Sequence, residues 1–210
     1  MSKVIGVDVD LTVADSDDSH WDWLGKVGVQ HTFPNKTQEV DYNLGNYFHL
    51  PDKVDSRDYW RLSDIYDEKP EYLRPVSGLS SGVFIRWIPI RPVQPIKGSQ
   101  RVLKDLKSEG WEILFISHIK GNHHKSKVEW LKRHFPFMDG FIATKEKHYA
   151  NACCDIFIDD RNIHLNKSKA PFNIKFETPY LQDEPLEEGS VDLITRNWVQ
   201  IGEWIKSKPK

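Results

Sequence analysis

From Pro95 onward the chain alternates short apolar runs with amphipathic segments, and this alternation limits the possible folds more than any other feature. "KGSQRVLKDLKSEG" carries Val102, Leu103 and Leu106 at helical spacing and stops at Gly110. "WEILFIS" reads as a strand, "KSKVEWLKRHF" as a helix with Val128, Leu131 and Phe135 on one face, and "GFIAT" as a strand. "KEKHYANACC" reads as a loop and short helix, "DIFIDD" and "FNIKFE" as strands. "VDLITRNWVQIGEWIKS" reads as a short strand leading into a final helix. At the other end of the chain, Val4, Ile5, Val7 and Val9 form one more β-branched run of the kind buried in parallel sheets. Parallel neighbours need crossover connections, and these are right-handed. The expected fold is α/β, a doubly wound, Rossmann-like parallel sheet with helices on both faces.

Residues 15–92 have a different texture, aromatic, acidic and punctuated, without clear strand alternation. Within them "DSDDSHWDWLGKVG" and "DSRDYWRLSDIYDEKPEYL" look helical, with Ser or Asp at plausible N-caps. The expected division is a core of residues 1–14 and 93–210 with an inserted segment over 15–92.

Charge narrows the function. Lys+Arg 29 against Asp+Glu 31 gives a net charge of −2, so no global basic field recruits nucleic acid, and an anionic ligand must be held locally. No apolar stretch reaches the roughly 20 residues of a membrane span, and the N-terminus reads as a core strand, so a cytoplasmic protein without a membrane partner is expected. Cys153 and Cys154 have no metal-binding spacing and read as two reduced, buried thiols.

In doubly wound sheets ligands bind beyond the carboxyl ends of the strands. After the first strand come Asp8 and Asp10, which project to the same side because strand side chains alternate. After "WEILFI" come Ser117, His118 and Lys120; after "GFIA" come Lys145 and Lys147; after "DIFI" come Asp159, Asp160 and Arg161. Carboxylates gathered at one point suit a hard divalent cation that keeps some of its waters, as Mg²⁺ does. A cation and a lysine offset the charge on a transferring phosphoryl group, and a serine hydroxyl can bond one of its oxygens. One carboxylate can attack phosphorus while another moves protons.

The order DVDLT, FIS, Lys, IFIDD resembles the four motifs of the haloacid dehalogenase superfamily of phosphatases, over residues 3–14 and 95–161. "FISHIK" with "WLKRHF", "ATKEK" and "DIFIDDR" resembles its 5′(3′)-deoxyribonucleotidases, as does "ITRNWVQIGEWI". The resemblance implies Asp8 as nucleophile and Asp10 as general acid/base that also lends a backbone carbonyl to Mg²⁺. It implies that Ser117 and Lys120 hold the phosphate, that Asp159 and Asp160 complete the metal site with Asp160 the direct ligand, and that Lys147, or Lys145, is the third-motif lysine. Two positions depart from the pattern: Ile116 replaces a hydroxyl residue, and Thr12 a small apolar one.

The superfamily places a mobile, mostly helical cap where residues 15–92 sit. Trp21, Trp23, Tyr42, Tyr47, Phe48, Tyr59, Trp60 and Trp87 could offer faces to a nucleobase, or could simply build the core of a small domain. His118, His123 and His124 fit no strong zinc spacing. The expected activity is Mg²⁺-dependent hydrolysis of nucleoside monophosphates through an aspartyl-phosphate. Another small phosphomonoester, a nucleic-acid 3′-phosphate end, and a non-catalytic binding module stand as alternatives. Stable binding to nucleic acid is not expected; a homodimer is compatible with the residues.

Overall fold

The computed structural model describes residues 3–32, 40–41, 43–52, 54–76, 84–119, 122–182 and 184–208; over 72–76 and 84–88 it describes the backbone alone. Along the chain run β1 (Lys3–Val7), β2 (Ala14–Asp15), α1 (Ser16–Val27), β3 (Val29–Gln30), β4 (Phe48–His49), β5 (Glu71–Val76) and β6 (Phe84–Pro89). Next come β7 (Gln94–Pro95), α2 (Ser99–Ser108), β8 (Trp111–Ser117), α3 (His124–His134), β9 (Gly140–Ala143) and α4 (Lys147–Ala150). The chain ends through β10 (Ile156–Asp159), α5 (Asn162–Asn166), β11 (Phe172–Phe176), β12 (Leu193–Thr195) and α6 (Trp198–Lys206). It divides into two compact units.

The first unit comprises Met1–Asp15, Gln94–Ile119 and Leu131–Lys210. Its six-stranded sheet runs β12-β11-β10-β1-β8-β9, every neighbouring pair parallel, as the alternation of strands and helices requires. Strand β1 lies inside the sheet between β10 and β8, with Ile5 and Val7 fully buried. Gly6 is needed there because a Cβ would come 2.7 Å from Cys154 Sγ. Cys154 joins a core of Ile116, Phe157, Leu165 and Ala170. Burial, reinforced by Cys153, pushes its thiol up to about 12. Cys153, expected to be buried, is exposed.

Helix α2 buries the expected Val102, Leu103 and Leu106. In α6 the Asn197 side chain accepts a hydrogen bond from the Val199 amide, and Trp198, Ile201 and Ile205 are buried. Gly202 lets α6 approach α2, since a Cβ would stand 2.8 Å from Val102 Cγ1. The Trp198 indole donates to the Thr12 carbonyl at 3.0 Å, tying α6 to the loop that leaves β1.

The second unit comprises Ser16–Val93 and Lys120–Trp130. Helix α1 forms as expected and buries His20, Trp23, Leu24 and Val27. The stretch from Asp55 begins with a capping box between Asp55 and Asp58 but yields only a 3₁₀ helix, Ser56–Arg61. Turns follow, and then an antiparallel hairpin of β5 and β6 that the sequence pattern did not show. The aromatic residues pack on one another: Trp21 on Tyr47 and Phe48, and Tyr59 on His20, Trp23 and Trp60. Tyr42 and the side chain of Trp87 lie outside the described residues.

Candidate active site

The register of the sheet decides what meets at its carboxyl edge. Val7 pairs with Ile158, so the residues just beyond, Asp8 on one strand and Asp159 on the other, are neighbours; the Asp8 amide donates to the Ile158 carbonyl at 2.9 Å. Asp160 follows directly. One carboxylate oxygen each from Asp8, Asp159 and Asp160 lie within 4.8 Å of one another, and all three residues are buried. At the start of α4, Lys147 reaches this cluster: its Nζ lies 2.6 Å from Asp8 Oδ1 and 2.8 Å from Asp159 Oδ2. The Arg161 amide donates to Asp159 Oδ1 at 2.8 Å, so both oxygens of Asp159 are engaged. Asp160 Oδ2, by contrast, is buried without a hydrogen-bond partner.

Burial sets the titration of Asp8 and Asp160, and neighbouring charges modify it. Asp8 is raised from 3.8 to about 6, chiefly by burial; Lys147 pulls it down, and Asp159 and Asp10 push it further up. Asp160 is raised well above the ordinary carboxylate value by burial, then by Asp159 and Asp8. Burial alone would lower Lys147, but Asp159 and Asp8 outweigh it and hold the ammonium protonated. Three hard oxygen donors and an orphaned buried oxygen fit a hard divalent cation.

The remaining expected residues fall in different places. Ser117 is fully buried at the end of β8, and its Oγ makes a long 3.5 Å contact to Asp10 Oδ2. The carboxylate of Asp10 stays outside the three-acid cluster. It sits on a tight turn where the amides of Thr12, Val13 and Ala14 converge on the Val9 carbonyl and Leu11 takes a left-handed φ of 58°. Lys145 is exposed, so the geometry brings Lys147 and not Lys145 to the acids. Lys120 lies outside the described residues. Among the described residues, His118, His123 and His124 form no metal-binding group.

Lys175 escaped the sequence reading. It stands opposite Asp159 in the β10–β11 register, is buried, and donates from Nζ to the Asp160 carbonyl at 2.7 Å. Its one visible sign is a charge inside the apolar run "FNIKF".

A family model described as "5′ nucleotidase, deoxy (Pyrimidine), cytosolic type C protein" matches residues 83–188, just over half of the chain. The chain belongs to this family. The matched stretch of the type C 5′-nucleotidases contains Ser117, Lys147, Asp159 and Asp160, while Asp8 and Asp10 precede it. The chain is 34% identical over 99 residues to the 5′(3′)-deoxyribonucleotidases of Bacillus subtilis (strain 168) and Bacillus phage SPbeta. That alignment takes in 45% of this chain and 55% of each relative, so the chain spans about half the length of the relatives it matches.

Two solved structures share the fold of this 5′-nucleotidase family member. A predicted phosphoglycolate phosphatase from Haemophilus somnus 129pt superposes with a TM-score of 0.54 at 11% identity, over 97% of this chain and 98% of its own. CbbY from Rhodobacter sphaeroides in complex with phosphate gives 0.52 at 13% identity, over 96% and 97%. Among the described residues, no helix is long and apolar enough to cross a membrane.

Proposed function

We propose that the protein is a Mg²⁺-dependent phosphomonoesterase that releases phosphate from nucleoside monophosphates, deoxyribonucleotides above all. The observation that carries this reading is the convergence of Asp8, Asp159 and Asp160 on one point, with Lys147 between Asp8 and Asp159. The family and the names of its Bacillus relatives support the choice of substrate class.

In this reading an Asp8 oxygen attacks phosphorus, the bond from phosphorus to the ester oxygen breaks, and Asp10 gives that oxygen its proton. Asp10 then takes a proton from water as it attacks the phosphorylated Asp8, releasing inorganic phosphate and restoring the carboxylate. Lys147 holds Asp8 in place and offsets negative charge beside the reacting group. Ser117 and Lys120 hold the phosphate oxygens. When bound by Asp8 and Asp160, with Asp159 completing the site, a divalent cation supplies the positive charge that keeps these carboxylates ionised opposite a phosphate. Residues 15–92 act as a cap inserted into a core of 1–14 and 93–210, selecting the leaving group and excluding water, and the enzyme works in the cytoplasm.

The test is phosphate release from deoxyribo- and ribonucleoside 5′- and 3′-monophosphates, with and without EDTA, for the wild type and Asp8→Asn. Release that needs Mg²⁺ and vanishes in Asp8→Asn is expected. Hydrolysis of sugar phosphates but of no nucleotide would overturn the substrate assignment, and full activity in Asp8→Asn would overturn the mechanism.

A further inference from the structure

A cavity of about 380 Å³ opens beside the acid cluster, within the first unit, at the carboxyl ends of β8, β9 and β10. Its inner wall includes Lys147, the residue whose Nζ is 2.6 Å from Asp8. Whatever fills the cavity is therefore one side chain away from the attacking carboxylate. Cations outnumber acids in the rest of the lining: Lys145, Arg161 and Lys167 against the single carboxylate of Glu146 among the lining residues, with the imidazoles of His118, His148 and His164 beside them. Glu146 is itself faced by His148, whose Nδ1 lies 3.6 Å from its Oε2. Among the described residues neither Lys145 nor Lys167 is held in an ion pair.

Exposed lysines are ordinary on a protein surface. Here, however, they border a concave space rather than a convex face. His164, on the same wall, has its pKa pushed down to about 3, first by burial and then by Lys147, with Arg161 and His118 adding to the effect and Asp8 opposing it. The mechanism gives Lys147 to Asp8 and Asp159 and assigns nothing to Lys145, Arg161 or Lys167.

We propose that this cavity receives a second phosphate group carried by the substrate, so that the best ligand bears one phosphate at Asp8 and another among Lys145, Arg161 and Lys167. A deoxynucleoside 3′,5′-bisphosphate has that chemistry. The inference rests on the phosphatase reading above and narrows its substrate class. A phosphate dianion that meets two cations away from bulk water forms charge-assisted hydrogen bonds, enough for about tenfold or more in affinity.

The test compares deoxythymidine 5′-monophosphate with deoxythymidine 3′,5′-bisphosphate by calorimetric titration of the Asp8→Asn protein with Mg²⁺, which reads binding without turnover. It is repeated in the Lys167→Glu and Arg161→Gln backgrounds. Binding of the bisphosphate at least about tenfold tighter, with the preference reduced at least about fivefold by either substitution, is expected. Equal affinities, or a preference that survives both substitutions, would overturn the inference and leave the phosphatase reading intact. Inorganic phosphate that displaces the monophosphate and the bisphosphate equally, with no preference between them, assigns the cavity to a free anion and also overturns it. Steady-state kinetics of the wild type on both compounds separates the two readings: failure to hydrolyse either one counts against the proposed function, whereas the titration judges the cavity.

Discussion

Asp160→Asn is expected to make the metal-free protein more stable and to remove its response to metal. Asp160 is 2% exposed, and its Oδ2 has no hydrogen-bond partner. Its ligand oxygen lies within 4.8 Å of those of Asp8 and Asp159. At that distance, and with an effective dielectric constant of about 20, two ionised carboxylates repel each other by roughly 3.5 kcal/mol. Asp160 evades part of this by keeping its proton to a higher pH than an ordinary carboxyl, and Lys147 offsets another part. Both escapes leave a residual cost, so a neutral isostere is expected to stabilise the metal-free protein by about 1–3 kcal/mol near neutral pH.

The sign with pH follows from the raised pKa of Asp160. The unfolded chain releases the proton near 3.8 while the folded chain retains it, so the contribution of Asp160 to wild-type stability is fully present below that value and declines as the pH rises above it. The variant lacks this decline. Metal works in the opposite direction: at a hundred times its dissociation constant, Mg²⁺ stabilises the wild type by about 2.7 kcal/mol, whereas a hundredfold loss of affinity leaves about 0.4 kcal/mol, so the variant's advantage shrinks by about 2.3 kcal/mol. Urea unfolding of both proteins, followed by tryptophan fluorescence in EDTA and in excess Mg²⁺, measures all four states. A variant that is less stable than the wild type in EDTA and gains equally from Mg²⁺ would refute the reasoning.

Lys147→Met strips the one cation from between Asp8 and Asp159, both buried, and is expected to destabilise the metal-free fold by about 3–5 kcal/mol and to abolish phosphate release; urea midpoints and a phosphate assay check both. Lys175→Met leaves the Asp160 carbonyl without its 2.7 Å donor and is expected to weaken Mg²⁺ about tenfold, read from the metal dependence of the melting temperature. His20 is lowered from 6.5 to about 4 by burial, so its contribution to stability is complete above 6.5 and lost as the pH falls toward 4. That loss amounts to about 3 kcal/mol at most, and a urea midpoint that falls more steeply with acid in the wild type than in His20→Leu is the expected result.

The six strands of the sheet were legible because their β-branched and aromatic runs end abruptly in polar residues, and the acid cluster because those ends fall at one edge. Lys145 and Lys147 could not be separated by spacing alone. Burial separates them: α4 begins at Lys147 and turns that side chain inward, while Lys145 stays in the preceding loop. Lys175 was illegible because its meaning comes from a register across two strands rather than from its neighbours in sequence. In the second unit the capping residues Asp55 and Asp58 mark where a helix starts but not how far it runs, and the helix stops at Arg61. Strands β5 and β6 were hidden by Pro75 and Pro89, which break the alternation that marks a strand.

The interior position of β1 has a consequence for how the chain is made. Its amide at Val4 bonds to a side chain 151 residues further on, and its two flanking strands are β8 and β10. During synthesis the first strand therefore emerges long before either neighbour exists, and both of its edges stay open until more than half of the chain has followed. Assembly of the sheet is expected to be slow, to depend on late-arriving segments and to benefit from a chaperone. Any fragment ending before Ile156 would carry Asp8 on a strand with at least one edge unsatisfied.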